Sequence, residues 1–363
     1  MTVSRISINN FKSIRELNLP LNRINVLIGP NGAGKSNFIQ FFNLLNNIVS
    51  QNLQNYVAAN GGADSFLYFG RKRSESFSGI ISFGLNDYHF ELTATADNNL
   101  FFSKEITWYQ NPVHGGTTSR NLADGNRETN LLKQYKIDQK ESVAFHILKA
   151  MTTWRVYHFH DTSTSAKVKQ DGDIHDNRSL RRDASNLPAF LYLLQEKHNE
   201  HFVRIENTVK LIAPFFEKFQ LEPLALNKEK IRLEWKQVGS DEYFNANHLS
   251  DGTLRMICLI TLLLQPALPD TIIIDEPELG LHPAAIELLT SLIKSIAAND
   301  KQIICSTQSV TFLNHFDPED IIIVDRSNGD SLFKRLDKNT LTEWLNEYAI
   351  GELWEKNVLG GRP

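Results

Sequence analysis

The chain has 363 residues, 41 % hydrophobic and 22 % charged, with a formal net charge of −4 and a pI near 6.3. That balance is ordinary for a globular protein of one or two domains and excludes a strongly basic surface made for nucleic acid as a whole. Cys258 and Cys305 both lie inside apolar runs and read as buried thiols in a reducing compartment, and no apolar run is long enough to span a membrane, so a cytoplasmic protein without a membrane partner is expected.

Residues 1–50 read as strand, turn, strand, phosphate-binding loop and helix. An apolar strand (Ile24, Val26, Leu27, Ile28) leads into Gly29-Pro30-Asn31-Gly32-Ala33-Gly34-Lys35-Ser36, and a helix with Phe38, Phe41, Phe42, Leu45 and Ile48 on one face leads out. The run matches G-x-x-x-x-G-K-[ST], a pattern expected by accident about once in eighty chains of this length. Glycines let the backbone wrap a polyphosphate with its N–H groups inward, and the helix N-terminus adds its dipole. The predicted nucleotide-binding residues are Asn31, Gly32, Ala33, Gly34, Lys35, Ser36 and Asn37. Lys35 would reach the β- and γ-phosphates of ATP, and the Ser36 hydroxyl would ligate Mg²⁺.

Residues 77–109 alternate apolar and polar between polar turns, as in an antiparallel meander. A loop is expected over 111–127, helices over 131–151 and 186–213, and a strand at Trp154–Phe159. A polar loop occupies 161–185, and strands follow around 219–226 and 230–236. From 249 onward the order helix, strand, helix, strand predicts a parallel α/β sheet.

Thr271-Ile272-Ile273-Ile274-Asp275-Glu276 is an apolar strand ending in two carboxylates. A central parallel strand delivers such residues to the ligand-binding edge of its sheet. Asp275 would hold Mg²⁺, and Glu276 would orient the water that attacks the γ-phosphate. Upstream, Leu249-Ser250-Asp251-Gly252-Thr253-Leu254-Arg255 opens an apolar helix. Ser250 or Asp251 can cap it, and Ser250, Asp251 and Gly252 at its N-terminus make a second phosphate site.

Together these elements resemble the ABC-type ATPase heads of the SMC, RecF and OLD families. Ser250–Thr253 is similar to their signature motif, and Asp275-Glu276-Pro277-Glu278-Leu279-Gly280-Leu281-His282-Pro283 to the Walker B motif and D-loop of the RecF/OLD-like branch. Ile8–Ile14, Tyr157–Ser163, Asn186–Leu191, Gly351–Trp354 and Leu359–Pro363 look like further markers of stand-alone bacterial AAA-annotated ATPases, the last four without an assigned chemistry. The resemblance implies an α/β P-loop NTPase of ABC-head type, with an antiparallel N-lobe meander in 1–115, a mainly helical insertion in 116–240 and a C-lobe in 241–363. It also implies a homodimer that sandwiches two ATP molecules, with Ser250 and the Gly252 N–H of one copy on the γ-phosphate held by Lys35 of the other.

Two departures stand out. The strand after Walker B ends in Ser306-Thr307-Gln308, so Gln308 takes the place of the usual switch histidine. It can hydrogen-bond the γ-phosphate or water but cannot become a cation, which implies slow turnover. Residues 61–73 supply no convincing Q-loop glutamine. The expected function is hydrolysis of ATP to ADP and phosphate in a regulatory switch for a separate effector, such as a nuclease in antiphage defence. The alternative is a repair ATPase of RecF type that binds DNA in an ATP-dependent way; the long insertion and both departures argue against a transporter subunit. His158, His160, Asp161 and His175 read as polar residues of a partly exposed strand and its loop rather than metal ligands. Arg71-Lys72-Arg73, Arg178 and Arg181-Arg182 read as solvated loop charge, and His282 as structural or inter-subunit.

Overall fold

A computed structural model describes residues 1–112, 115–138, 142–345 and 347–361; Arg362 and Pro363 of the closing motif lie outside the described residues. The chain divides into two compact units. One is Met1–Val156 with Pro269–Ile273 and Asp300–Pro363, the other Tyr157–Leu268 with Ile274–Asn299.

Strands β1 (Arg5–Phe11) and β2 (Ile14–Pro20) form a hairpin whose turn holds Lys12 at φ 52°. Three strands thus precede the phosphate loop where two were expected. The adjacent exposed Arg15 and Glu16 break the period-2 pattern that would have revealed β2. The third, β3 (Ile24–Ile28), is buried throughout and feeds α1 (Lys35–Val49).

The predicted apolar face of α1 is its packed face. Phe41 lies between Phe11, at 5.3 Å, and Phe90, at 6.1 Å; Phe42 meets Trp154 at 5.5 Å and Phe38 meets Phe333 at 5.6 Å. Each such buried ring contributes about 1.5–3 kcal/mol.

Beyond α2 (Leu53–Ala59) come the expected meander strands β4 (Ser76–Phe83), β5 (Asn86–Ala94) and β6 (Leu100–Gln110). The loop expected over 111–127 contains an additional edge strand, β7 (Thr117–Asn121); its residues are all exposed, so no burial pattern announced it. These strands complete a sheet in the order β2-β1-β4-β5-β6-β7. The helix expected over 131–151 is two, α3 (Leu131–Asp138) and α4 (Val143–Thr152), and β8 (Arg155–Tyr157) follows.

The second unit holds β9 (Gly172–Asp173), α5 (Leu187–Lys197) and α6 (Asn199–Ile212). A single helix was expected over 186–213, but His198, at φ −139°, breaks it. The expected 219–226 strand is β10 (Phe216–Gln220) followed by β11 (Pro223–Leu224), and the expected 230–236 strand divides into β12 (Asn227–Ile231) and β13 (Glu234–Gln237). With β14 (Tyr243–Asn245) they form two small sheets, β10-β13-β14 and β11-β12-β9. The apolar helix α7 (Asp251–Leu264) closes this stretch.

The predicted alternation then appears: β15 (Thr271–Asp275), α8 (Pro283–Ala298) and β16 (Gln302–Thr307). After them come α9 (Val310–Leu313), β17 (Ile321–Ser327), β18 (Asp330–Arg335), α10 (Lys338–Leu345) and α11 (Ile350–Glu355). The second large sheet has the order β18-β17-β3-β16-β15-β8, with β3 parallel to both neighbours. Among the described residues, no helix is long and apolar enough to cross a membrane.

Candidate functional site

In the first unit, β3 ends and the chain wraps into the phosphate loop before α1. A Cβ at Gly29 would collide with the Val324 carbonyl oxygen, and one at Gly34 with the Ser331 hydroxyl, so both positions require glycine. Lys35 is buried, and its ammonium donates to the carbonyls of Gly29 at 2.5 Å and Pro30 at 3.1 Å. Asn31, Gly32 and Ser36 are exposed. Helix α1 has no side-chain cap and no acidic residue in its first turn, an N-terminus suited to an anion such as a phosphate group.

The β17–β18 hairpin grips this loop. Arg326 Nη1 donates to the Gly32 carbonyl at 3.2 Å, and Ser331 Oγ donates to the Ala33 carbonyl at 2.5 Å. Asn37 Nδ2 donates to Ser13 Oγ at 2.7 Å, and Ser13 Oγ lies 2.6 Å from Ser331 Oγ. Gln308 belongs to the same unit. The register pairs Thr307 with Ile28, so Gln308 and Gly29 leave adjacent parallel strands at one edge of the sheet.

In the second unit, Ser250 caps α7 by accepting from Thr253 N at 3.1 Å. Asp251 is exposed, 3.5 Å from the Lys169 ammonium. A Cβ at Gly252 would lie 2.5 Å from the Gly280 carbonyl oxygen. The turn at Gly252 and the segment at Gly280 therefore pack backbone to backbone. Glu276 has φ 43°, a left-handed conformation uncommon outside glycine and typical of functional turns. His282 caps α8 through Ala284 N at 3.4 Å, with Pro283 in its first turn.

Two residues at this junction carry a part that the sequence left unread. Arg255 is buried and forks onto three carbonyls: Nε to Phe159 at 2.9 Å, Nη2 to His160 at 3.2 Å, and Nη1 to Leu279. Burial pushes its pKa down, against the pull of Asp251. A lone arginine in the apolar run Leu254–Leu264 was the available signal, because a buried charge needs partners. His160 donates Nε2–H to the Asp275 carbonyl at 2.8 Å. Its ring lies 6.1 Å from that of His158, whose pKa burial holds down.

A model of the family described as "AAA domain, putative AbiEii toxin, Type IV TA system" matches residues 24–314. The OLD nuclease of Thermus scotoductus is 22 % identical, over 96 % of this chain and 67 % of its own length. The energy-coupling factor transporter ATP-binding protein EcfA2 of Staphylococcus aureus is 30 % identical over only 26 % of this chain and 34 % of its own. Among solved structures, the SmcHead bound to the C-winged helix domain of ScpA aligns with a TM-score of 0.59 at 15 % identity, covering 94 % of this chain and all of that one. The Smc head domain with an extended coiled coil, bound to the C-terminal domain of ScpA derived from Pyrococcus furiosus, aligns at 0.53 and 15 % identity over 95 % of this chain and 98 % of that one. The fold is therefore the α/β P-loop fold of ABC-type ATPase heads.

Proposed function

The chain belongs to this AAA-domain family of OLD/SMC-like ATPases, and on that premise we propose that it hydrolyses ATP to ADP and phosphate as a homodimeric switch for a separate effector protein. The observation that carries the reading is the phosphate loop: strand, tight glycine turns and an uncapped helix N-terminus beginning at Lys35. Backbone N–H groups of 31–36 would bind the β- and γ-phosphates, with Lys35 neutralising their charge. Mg²⁺ suits the hard oxygen donors Ser36 and Asp275 and would offset the charge that develops on the transferred phosphoryl group. Glu276 would orient the attacking water and accept its proton. Gln308 would hydrogen-bond the γ-phosphate or that water, and turnover would be slow because glutamine cannot become a cation.

The dimer is supported by the helix that Ser250 caps. Ser250 and the Gly252 N–H would complete the γ-phosphate site of a second copy, so that two ATP molecules close a two-fold interface and hydrolysis opens it. The effector is supported by a fold neighbour, an Smc head bound to a domain of ScpA; its identity as a nuclease in antiphage defence is an analogy of context.

The test is Glu276→Gln with ATP and Mg²⁺, its mass followed by light scattering. The expected result is an ATP-dependent doubling of mass, with phosphate release by wild type and none by the variant. A variant that stays monomeric at every concentration overturns the dimer, and a wild type that releases no phosphate overturns the hydrolase.

A further inference from the structure

The Gly351–Trp354 and Leu359–Gly361 pieces have no part in the chemistry above, yet both pack against nucleotide-site elements of their own unit. Helix α11 lies on α9. Gly351 N donates to Asn314 Oδ1 at 2.7 Å, and a Cβ at Gly351 would meet Val310 Cγ1 at 2.6 Å and the Val310 carbonyl oxygen at 2.8 Å. Helix α9 starts two residues after Gln308 and is capped by Ser309, whose Oγ accepts from Phe312 N at 3.1 Å. Gly351 thus seats α11 on α9, the helix that begins two residues after Gln308.

Downstream, the chain reverses through Asn357, at φ 57°, and Gly360, at φ 83°. The indole N–H of fully buried Trp354 then donates to the Gly361 carbonyl. This brings Gly361 against the middle of β17, where a Cβ would lie 2.7 Å from Ile323 Cγ2, 3.3 Å from the Val324 carbonyl oxygen and 3.6 Å from Gly29 Cα. The same Val324 carbonyl abuts Gly29. Two glycines from opposite ends of the chain therefore crowd one carbonyl, and neither leaves room for a side chain.

We infer that residues 350–361 brace the phosphate loop and the Gln308 turn into one geometry, with Trp354 and Gly361 as positioning residues for nucleotide binding; the inference rests on the ATP-binding reading above. A loop that binds phosphate through its backbone N–H groups binds tightly only when its shape is set beforehand, because ordering it on binding subtracts from affinity. Gly361 lies against both Val324 and Gly29, and Gly29 opens the loop. Loss of the brace is therefore expected to act on nucleotide affinity more than on the sheet, whose β16–β3–β17 ladder contains no residue of the segment.

The experiment compares full-length wild type, Trp354→Phe and Gly361→Ala for mant-ADP affinity by fluorescence and for melting temperature without nucleotide. Trp354→Phe removes one donor and keeps an aromatic ring. Its Kd is expected to rise about fivefold, as for one lost hydrogen bond. Gly361→Ala, whose Cβ presses on Ile323, should weaken binding at least as much; the melting temperature of Trp354→Phe is expected within about 4 °C of wild type, and that of Gly361→Ala lower, because its Cβ has no room. If Gly361→Ala does not fold, Trp354→Phe carries the comparison. Lower melting temperatures with an unchanged Kd would mean a merely structural segment and overturn the brace. A wild type that does not bind mant-ADP overturns the ATP-binding reading itself, and the brace falls with it.

Discussion

His160 Nε2 donates to the backbone carbonyl of Asp275 at 2.8 Å, so an imidazole holds the main chain of the residue proposed to ligate Mg²⁺. The bond fixes the end of β15, where Glu276 then enters its left-handed turn. Partners that orient a metal ligand typically change activity by about 10- to 100-fold when removed. His160→Ala is expected to lower kcat for phosphate release about tenfold and to change KM less. His160→Gln, which can donate from a similar place, should recover part of the loss. Steady-state assays with ATP varied to saturation check both, and equal losses for the two variants would argue against the hydrogen bond.

Arg255 ties three backbone segments together, and its removal strands three carbonyls. With Arg255→Met, the aliphatic volume is largely kept and the fork is lost. The expected cost is about 3 kcal/mol, the scale for losing hydrogen bonds to a buried charged group, measured as a lower urea midpoint. Arg255→Lys should recover only part, because an ammonium cannot span the carbonyls of Phe159, His160 and Leu279 with a planar fork.

How far the sequence announced this architecture depended on whether a signal was contiguous. The phosphate loop stood out because its glycines, lysine and serine fall within the single run Gly29–Ser36 and its chemistry demands those types. The β15 run ending in Asp275 and Glu276 stood out for the same reason. Strands β2 and β7 did not, one having adjacent exposed charges and the other no buried face. The packing of Gly252 against Gly280, of Arg255 on Phe159 and of Gly361 beside Gly29 joins residues far apart in the chain. Arg255 at least stands alone in an apolar run, but nothing local marks the glycine pairs, since a glycine required by a distant carbonyl looks like any glycine of a turn or helix start.

Acid should weaken the fold through His158. Burial lowers its pKa from the ordinary 6.5, reinforced by His160 and Arg182 and opposed by Asp275. The folded form thus resists protonation while the unfolded chain takes up the proton, so the unfolded state binds more protons as pH falls below 6.5. The stability present above that pH is lost progressively toward the lowered folded value. The melting temperature of wild type is expected to fall as pH drops from about 7 to about 5, and His158→Gln should flatten that slope. Asp87, Asp183 and Asp270, whose pKa values lie below the ordinary 3.8, lose their contribution only in stronger acid. A slope unchanged in the variant would place the acid sensitivity elsewhere.

The three side chains Asn37, Ser13 and Ser331 form a directed relay onto the phosphate loop. Asn37 Nδ2 donates to Ser13, and the Ser331 hydroxyl is committed to the Ala33 carbonyl. The 2.6 Å bond between the serines must therefore run from Ser13 to Ser331. Each hydroxyl donates once and accepts at least once, which suits the near-complete burial of Ser331 at 1 % exposure. Ser331→Ala breaks two links and leaves the Ala33 carbonyl without its hydroxyl donor, at a cost of about 1–3 kcal/mol. Because that carbonyl lies in the loop, the loss should also raise KM for ATP. Ser13→Ala interrupts the same relay one step earlier. Once Ser331 is gone, part of what Ser13 contributes has already been lost, so the double variant should be less destabilised than the sum of the singles by about 0.5 kcal/mol or more. Strict additivity in urea midpoints would mean that the serines act independently and that the loop is held by the Arg326 contact and the hairpin backbone instead.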